Sequence, residues 1–187
     1  MLWLALQFPR LGLEVCAQES DGRPVVLLED NRVRLLNDAA RSTGIQPGAT
    51  LATAHSIAAD LVHHQRDRDR EEKRLRFIAE TLYRFSAQVS MESPDALVLE
   101  VGASLELFGD AQALAGAAAQ LCAELGHEAC TALASTPGAA LALATSGVAD
   151  LESVPLAQAR LPGTGHLERL AKMGAKTLGA LMSLPES

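Results

Sequence analysis

The sequence has 187 residues, an apolar fraction of 48% and a formal net charge of −7. This apolar content can fill a core, which excludes a disordered chain and allows one full domain with a small second one. No uninterrupted apolar run reaches the roughly 18 residues of a membrane span, and the start lacks a basic signal-peptide region, so we expect a cytoplasmic protein.

The charges are distributed unevenly along the chain. Residues 1–90 contain twelve Lys/Arg and twelve Asp/Glu, whereas residues 91–159 contain nine acids and no Lys or Arg. Residues 160–187 contain four basic residues and two acids. Because an acidic surface repels DNA, we expect any exposed part of 91–159 to meet a basic surface of a protein partner.

The first third of the chain predicts mainly strands. Residues 2–8 read as a strand and residues 11–17 as a second extended piece. Residues 25–29 form a continuous apolar run, which is typical of a buried strand, and residues 32–36 return as its partner across an Asp-Asn turn.

Helices and strands then alternate. Asn37 can cap a short helix that ends before Gly44, and Thr50 can cap the next one. The charged stretch "HHQRDRDREEKRLRF" predicts the solvated start of a longer helix. The remaining segments predict a hairpin (87–91 and 96–101), a helix (110–125), a strand (129–134) and a helix from Pro137. This order favours an α+β fold with helices on one face of a sheet, followed from about residue 151 by a separate small helical subdomain.

The glycines of "LPGTGHLERL" carry the first candidate binding motif. Gly163 and Gly165 allow a tight turn, and a helix starting at His166 would offer unpaired backbone amides to a phosphate. Lys172 and Lys176 would add positive charge, as in a helix–hairpin–helix that grips the DNA backbone. A plain packed helical pair explains the pattern equally well.

The segment "NDAARSTGIQPGA" carries the second motif. Arg41 lies on a short helix before a Gly-Ile-x-x-Gly corner and could present its guanidinium to a phosphate. An ordinary surface arginine is the simpler interpretation when the segment is taken alone.

The acids of "VSMESPDALVLEV" form the third motif. Glu92, Asp95 and Glu100 lie in or beside a hairpin, where carboxylates combined with substrate phosphates can bind Mg²⁺. A polar turn is the favoured interpretation, because residues 91–159 offer no basic residue to hold such a phosphate. The adjacent His63 and His64 point in different directions on a helix, so we predict neither a metal site nor a cofactor.

Four segments in this order resemble the Y-family, UmuC/DinB-type translesion DNA polymerases. "NDAARSTGIQPGA" is similar to the fingers motif of that family, "MESPDALVLEV" to its acidic palm hairpin, "ALASTPGAALALAT" to its following helix, and "RLPGTGHLERLAKMGAKTLGAL" to its thumb. The resemblance implies a palm (1–36 and 66–150), fingers (37–65) and an all-helical, helix–hairpin–helix thumb (151–187).

The chain departs from the family at positions that carry catalysis. Gln7 and Pro9 match two acids of the first strand, and Asp95-Ala96 matches an acid pair. Gly12 matches an aromatic gate that excludes ribonucleotides, and Asp38 matches a tyrosine that contacts the triphosphate. Two-metal phosphoryl transfer needs carboxylates that a neutral amide cannot replace.

The resemblance therefore implies a non-enzymatic member of the family. It points to the inactive relatives, whose N-terminal segment is similar to Leu4 to Glu14 of this sequence. Such a protein would be an adaptor in damage-induced translesion synthesis. Its expected partners are a RecA-like protein of the ImuA type, an error-prone replicative-type polymerase, DNA bound weakly, and a sliding clamp bound through a region beyond Ser187. Two alternatives stay open: an active polymerase that uses Asp95 with Glu92 or Glu100, and a simple helix–hairpin–helix DNA-binding module.

Overall fold

The computed structural model describes residues 1–16, 22–159 and 176–182. The chain forms two compact units: the first unit contains Met1–Pro9 and Leu75–Ser187, and the second unit contains Arg10–Arg74. These limits differ from the predicted ones. Residues 10–36, assigned to the palm from the sequence, belong to the second unit, together with residues 66–74.

The described residues contain seven strands and eight α-helices. In chain order these are β1 (Trp3–Gln7), α1 (Leu11–Cys16), β2 (Val25–Glu29), β3 (Arg32–Leu36), α2 (Asp38–Ser42), α3 (Leu51–Ile57), β4 (Val62–Gln65), α4 (Arg68–Leu82), β5 (Val89–Glu92), β6 (Ala96–Glu100), α5 (Leu105–Phe108), α6 (Ala111–Glu124), β7 (Cys130–Ala134), α7 (Pro137–Ser146) and α8 (Leu178–Met182). Short 3₁₀ turns occur at Gly102–Ser104, Leu151–Ser153 and Leu156–Gln158. Within the three described ranges, no helix is both long and apolar enough to cross a bilayer.

The first unit is built on a four-stranded antiparallel sheet of order β5-β6-β1-β7. The central strand β1 is apolar along most of its length because both of its faces are covered. Ala5, with Ala96 and Val98 of β6, packs against Ala140 and Leu141 of α7. The leucines of the opposite face are also completely buried: Leu4, Leu6, Leu97 and Leu99.

Helix α7 begins and ends as its sequence predicts. Thr136 accepts a hydrogen bond from the backbone N–H of Ala139, Pro137 occupies the first turn, and Gly147 ends the helix in the left-handed conformation (φ 68°). A proline has no N–H to lose at that position, and a glycine tolerates a positive φ without strain. This helix therefore has a fixed position over the sheet.

The second unit contains a three-stranded sheet of order β3-β2-β4. Strands β2 and β3 form an antiparallel hairpin, and β2 pairs with β4 in parallel. The hairpin turns at Asp30 and Asn31, both in the left-handed region (φ 50° and 60°) that Asp and Asn tolerate. The predicted hairpin is confirmed.

Two predicted helix caps in the second unit are also confirmed. Asn37 Oδ1 accepts from the N–H of Ala40 at 2.8 Å, and Thr50 Oγ1 accepts from the N–H of Thr53 at 3.2 Å. Each cap satisfies a backbone donor that the first turn leaves unpaired. Gly44 (φ 92°) follows the first of these helices, as expected for a glycine after a helix end.

Two local predictions are wrong. Within the extended piece predicted over residues 11–17, Leu11–Cys16 form the helix α1, which begins after a turn at Pro9 and Arg10. A run of six residues is too short for its hydrophobic pattern to separate a helix from a strand. Residues 63–65, predicted as part of a helix start, instead belong to β4, because pairing with β2 overrides their polar character.

Residues 151–159 and 176–182 belong to the first unit. Most of the predicted thumb, 151–187, lies outside the described residues, so the separate helical subdomain stays a prediction. Val154 and Ala159 pack against Ala142 of α7, with Leu178 at the edge of this cluster. The N–H of Leu178 donates to the carbonyl of Val154 at 2.9 Å. The hydrophobic effect thus attaches this segment to the sheet unit.

Candidate functional site

The end of the central strand β1 is the candidate functional site, because the sequence places Gln7 where a metal-binding aspartate is expected. Gln7 lies opposite Ala96 in the register of β1 and β6. The next residue, Phe8, donates its backbone N–H to the carbonyl oxygen of Asp95 at 2.8 Å. The strand therefore brings Gln7 to the tip of the β5–β6 hairpin, 88 positions away along the chain.

The side chains of Gln7 and Asp95 interact directly. Gln7 Nε2 donates to Asp95 Oδ2 at 3.3 Å, and the glutamine is only 8% exposed. A carboxylate at this place would share a cation with Asp95, whereas the amide is neutral and donates a hydrogen bond to it. The remaining acid is thus satisfied by a protein donor.

The neighbouring family positions supply no further carboxylate. Ala96 is completely buried, and it packs in the same cluster as Ala5 and Ala140. Pro9 is the last residue of the first of the two segments that form the first unit. In the described parts of the chain, no group of three or more His, Cys, Asp and Glu side chains could hold a metal ion.

The structure does not bring together the three acids of the alternative metal site. Glu100 lies opposite Trp3, at the other end of β6 from Asp95. Its Oε1 accepts from the backbone N–H groups of Gly102 and Leu2, at 3.1 and 3.4 Å. Glu100 therefore stabilises the chain at the start of β1. The predicted alternative in which Glu100 and Asp95 bind one metal site is wrong.

Glu92 is nearer to the candidate site than Glu100. It pairs with Ala96 across the β5–β6 hairpin, and Ala96 pairs in turn with Gln7. Ser90 Oγ donates to Glu92 Oε1 at 3.2 Å. Side chains directly opposite in a sheet share one face, so Glu92 and Gln7 lie on the same face of the sheet, on either side of the small apolar residue Ala96.

In the second unit, the candidate phosphate ligand Arg41 interacts with an acid of its own helix. Arg41 Nη1 lies 3.7 Å from Asp38 Oδ1, and Arg10 Nη1 lies 3.4 Å from Asp38 Oδ2. All three side chains are at least partly exposed, so these ion pairs contribute little to stability. Their effect is electrostatic: Asp38 offsets half of the positive charge that the two arginines would present to an anion.

Gly12, the position that matches the aromatic gate, has no room for a side chain. A Cβ atom built there would lie 2.6 Å from Glu71 Oε1 and 2.8 Å from Leu27 Cδ2. Real Cβ atoms do not approach other atoms this closely, so a neighbour would have to move. The space beside Gly12 is filled from within the second unit by the carboxylate of Glu71.

Glu71 is held in place by Arg66. Arg66 donates from Nε and Nη2 to both oxygens of Glu71, with a shortest distance of 2.6 Å, and from Nη1 to Glu29 Oε1 at 2.9 Å. The hydrogen bonds to Glu71 raise the pKa of the Arg66 guanidinium, and hydrogen bonds from Arg68 and then Arg66 lower the pKa of Glu29. Charged pairs of this bidentate form are stronger than neutral hydrogen bonds.

The sequence pattern did not predict the buried ion pair of Arg66 and Glu71. Glu71 is 4% exposed, although its segment predicts a solvated helix start. One signal was present: Glu71 precedes Leu75, Ile78 and Leu82 at helical spacing, which places its side chain on the buried face of α4.

Most of the predicted DNA-binding residues of the thumb lie outside the described residues: Gly163, Gly165, His166 and Lys172. Lys176 is described and exposed. Its carbonyl oxygen accepts from the N–H of Leu156 at 3.0 Å, so its backbone is attached to the first unit. The predicted contact between this lysine and DNA stays a prediction.

Comparison with known proteins identifies relatives over most of the chain. The model of the impB/mucB/samB family matches residues 14–145. Protein ImuB from two strains of Caulobacter vibrioides is 28% identical over 155 residues, which cover 77% of this chain and 34% of that protein. The chain therefore spans about a third of the length of the curated relatives that it matches.

Solved structures of DNA polymerases share the fold. An insertion ternary complex of Dbh DNA polymerase superimposes with a TM-score of 0.73 at 19% identity, covering 99% of this chain and 61% of the polymerase. The crystal structure of DinB from Sulfolobus solfataricus gives a TM-score of 0.69 at 18% identity, with the same coverage. A chimera of Dbh and Dpo4, described as a Y-family DNA polymerase, gives 0.74 at 18% identity.

Proposed function

Since this chain belongs to the impB/mucB/samB family and has the fold of Y-family DNA polymerases, we propose that it is a non-catalytic, polymerase-like adaptor in damage-induced translesion DNA synthesis. The observation that carries the proposal is the hydrogen bond from Gln7 to Asp95. In a two-metal reaction, carboxylates at the end of the first strand gather both cations. Here an amide occupies that place and donates to the one acid that remains.

Three further observations support the absence of polymerase chemistry. Ala96 replaces the second acid of the hairpin and is buried in an apolar cluster. Asp38 pairs with Arg41 and Arg10, which reduces their attraction for a triphosphate. Glu71 fills the space beside Gly12, where the family has the side chain that selects the sugar.

The adaptor role is the part of the proposal that follows from the relatives. A protein similar to ImuB that has lost its own catalysis would act by holding other proteins. We propose a RecA-like protein, an error-prone polymerase and the sliding clamp as its partners, with the clamp bound by a region that follows the 187 residues. The acidic stretch 91–159 supports contact with proteins in preference to DNA.

Primer extension tests the proposal directly. Purified protein is incubated with a primer–template, dNTPs and Mg²⁺ or Mn²⁺, beside Dbh DNA polymerase as the active control. We expect no extension above the level without protein. Extension by this chain that disappears in the Asp95→Ala variant would overturn the proposal, because it would show that the remaining carboxylate supports catalysis.

A further inference from the structure

A shallow surface pocket of about 280 Å³ lies on the first unit, and it contains none of the residues of the candidate site. Its apolar part is formed by Phe85, Phe108, Ala117 and Leu121, between the segment after α4 and the helices α5 and α6. The two phenyl rings are in contact, with their centroids 5.2 Å apart. The volume is just below the range of small-molecule pockets and suits an apolar side chain.

An exposed leucine directly precedes Phe108, one of the residues that line this pocket. Leu107, the neighbour of Phe108 in α5, is 82% exposed, the largest exposure among the large apolar side chains of the described residues apart from Met1. An exposed apolar side chain beside an apolar pocket is typical of a protein-binding surface. Burial of Leu107 against a partner would recover hydrophobic free energy that this chain alone leaves unused.

The charges around the pocket indicate the kind of partner. Glu124 lines it and accepts a hydrogen bond from Gln120 at 3.2 Å, and the exposed Glu106 precedes Leu107. The basic residue of the lining, Arg84, lies with its guanidinium carbon 6.0 Å from the centre of the Phe85 ring. Helices α5 and α6 contain no Lys or Arg, so the acids Glu106, Asp110 and Glu124 outnumber Arg84 around the pocket. This balance favours a basic partner over a nucleic acid.

We propose that this pocket, together with Leu107 and Glu124, is a docking site for a partner protein. The bound segment inserts an apolar side chain between Phe85, Phe108 and Leu121, and carries Lys or Arg beside that anchor. The proposal rests on the proposed adaptor function, because a protein that acts by holding others needs such a surface. It adds the place of the contact and the chemistry of the segment that binds.

Peptide selection tests the site without a known partner. Random peptides displayed on phage are selected on the immobilised protein, with counter-selection on the Ala117→Phe variant, whose new ring fills the pocket. We expect the recovered peptides to combine a Phe, Leu or Trp with neighbouring Lys or Arg. Recovery of acidic peptides only, or of no peptide that distinguishes the two proteins, would overturn the proposal.

Synthetic versions of the recovered peptides are then titrated by fluorescence anisotropy. We expect Leu107→Ser and Glu124→Lys each to weaken binding by about tenfold, which is the range of a residue central to an interface. The matched controls are Ile57→Ser and Asp60→Lys, an exposed apolar residue and an exposed acid of the second unit. Equal losses in the controls would overturn the site.

Two other possible ligands of this surface, a second copy of the chain and DNA, are distinguished from the proposed partner by further measurements. Sedimentation of the wild-type protein that shows a dimer abolished by Leu107→Ser would assign the surface to a second copy of the chain and overturn the proposal. Displacement of the peptide by a DNA oligonucleotide would do the same. Failure of any of these tests would overturn this docking site alone, because primer extension tests the proposed lack of catalysis separately.

Discussion

The first unit and the second unit differ in the charge of their buried polar groups. At the end of β1, the position of an expected carboxylate holds Gln7, whose amide donates to the single acid Asp95. In the second unit, the space beside Gly12 contains a fully formed ion pair of Arg66 and Glu71, with side chains only 11% and 5% exposed. One site has a neutral amide where the resemblance implies an acid, and the other contains a buried ion pair.

The physical reason is the cost of leaving a partner unpaired. A buried ion pair such as Arg66–Glu71 loses stability strongly when one member is removed, because the other then stays buried without compensation. At the end of β1 no charge is left unpaired, since the amide of Gln7 donates a hydrogen bond to the carboxylate of Asp95. An amide at the strand end is therefore compatible with the fold, whereas removal of one member of the buried pair is costly.

The largest expected effect comes from breaking the pair in the second unit. We expect Glu71→Ala to lower the free energy of unfolding by about 3–5 kcal/mol, because Arg66 loses its main partner while it stays buried. Urea denaturation followed by circular dichroism measures the change. The control Glu72→Ala alters the neighbouring, exposed acid and should change stability by less than about 0.5 kcal/mol. Equal effects of the two variants would contradict the structural role of Glu71.

The next largest effect concerns the space beside Gly12. We expect Gly12→Ala to destabilise the protein by about 1–3 kcal/mol, because the new Cβ would overlap Glu71 and Leu27. Gly116→Ala is the matched control: this glycine is also in a helix, but no atom lies within 4 Å of its added Cβ. There the substitution should stabilise by roughly 0.5–1 kcal/mol.

A double-mutant cycle sharpens this second prediction. In the Glu71→Ala background, Gly12→Ala should cost about 1 kcal/mol less than in the wild-type protein, because one of the two overlapping groups is gone. Denaturant unfolding of the four proteins gives the coupling energy. Strict additivity would mean that Glu71 does not limit the space at Gly12.

A smaller effect is expected at the strand end. Gln7→Asp removes the hydrogen bond to Asp95 and sets two carboxylates side by side, so we expect a loss of about 1–2 kcal/mol near neutral pH. Added Mn²⁺ should restore part of the loss, because the two acids can share a cation. The control Gln7→Leu loses the hydrogen bond but should not respond to Mn²⁺. Identical responses of the two variants would show that the acids do not meet.

The smallest effect is a change in the pH dependence of stability. The pKa of Glu29 is lowered from its ordinary value of 4.5 by hydrogen bonds from Arg68 and Arg66. Its contribution is therefore fully present above that value and is lost as the pH falls through the lower pKa of the folded state. Glu29→Gln should flatten the decline of thermal stability below pH 4.5. An unchanged decline would exclude Glu29 as its source.

Local chemistry explains which parts of the fold the sequence could predict. The caps Asn37 and Thr50, the turn at Asp30-Asn31 and the start of α7 depend on residues a few positions apart, and all were predicted correctly. The helix α1 and the strand β4 were not, because short polar or mixed segments take their conformation from the elements with which they pair.

The candidate site was predicted only in part for a related reason. Its residues, Gln7 and Asp95, followed from the resemblance of ordered motifs to a polymerase family. The hydrogen bond between them did not, because it depends on the register of two strands far apart in the chain.

The sequence by itself determined the family and the fold class, because residue identity and motif order suffice for those conclusions. It also placed Gln7, Pro9 and Ala96 where the resemblance implies acids. Only the tertiary structure decided that Gln7 satisfies Asp95, that Glu71 fills the space at Gly12, and that Glu100 accepts a hydrogen bond from the N–H of Leu2. These are contacts across long sequence separations, and they are set by strand register and core packing, which local patterns do not specify.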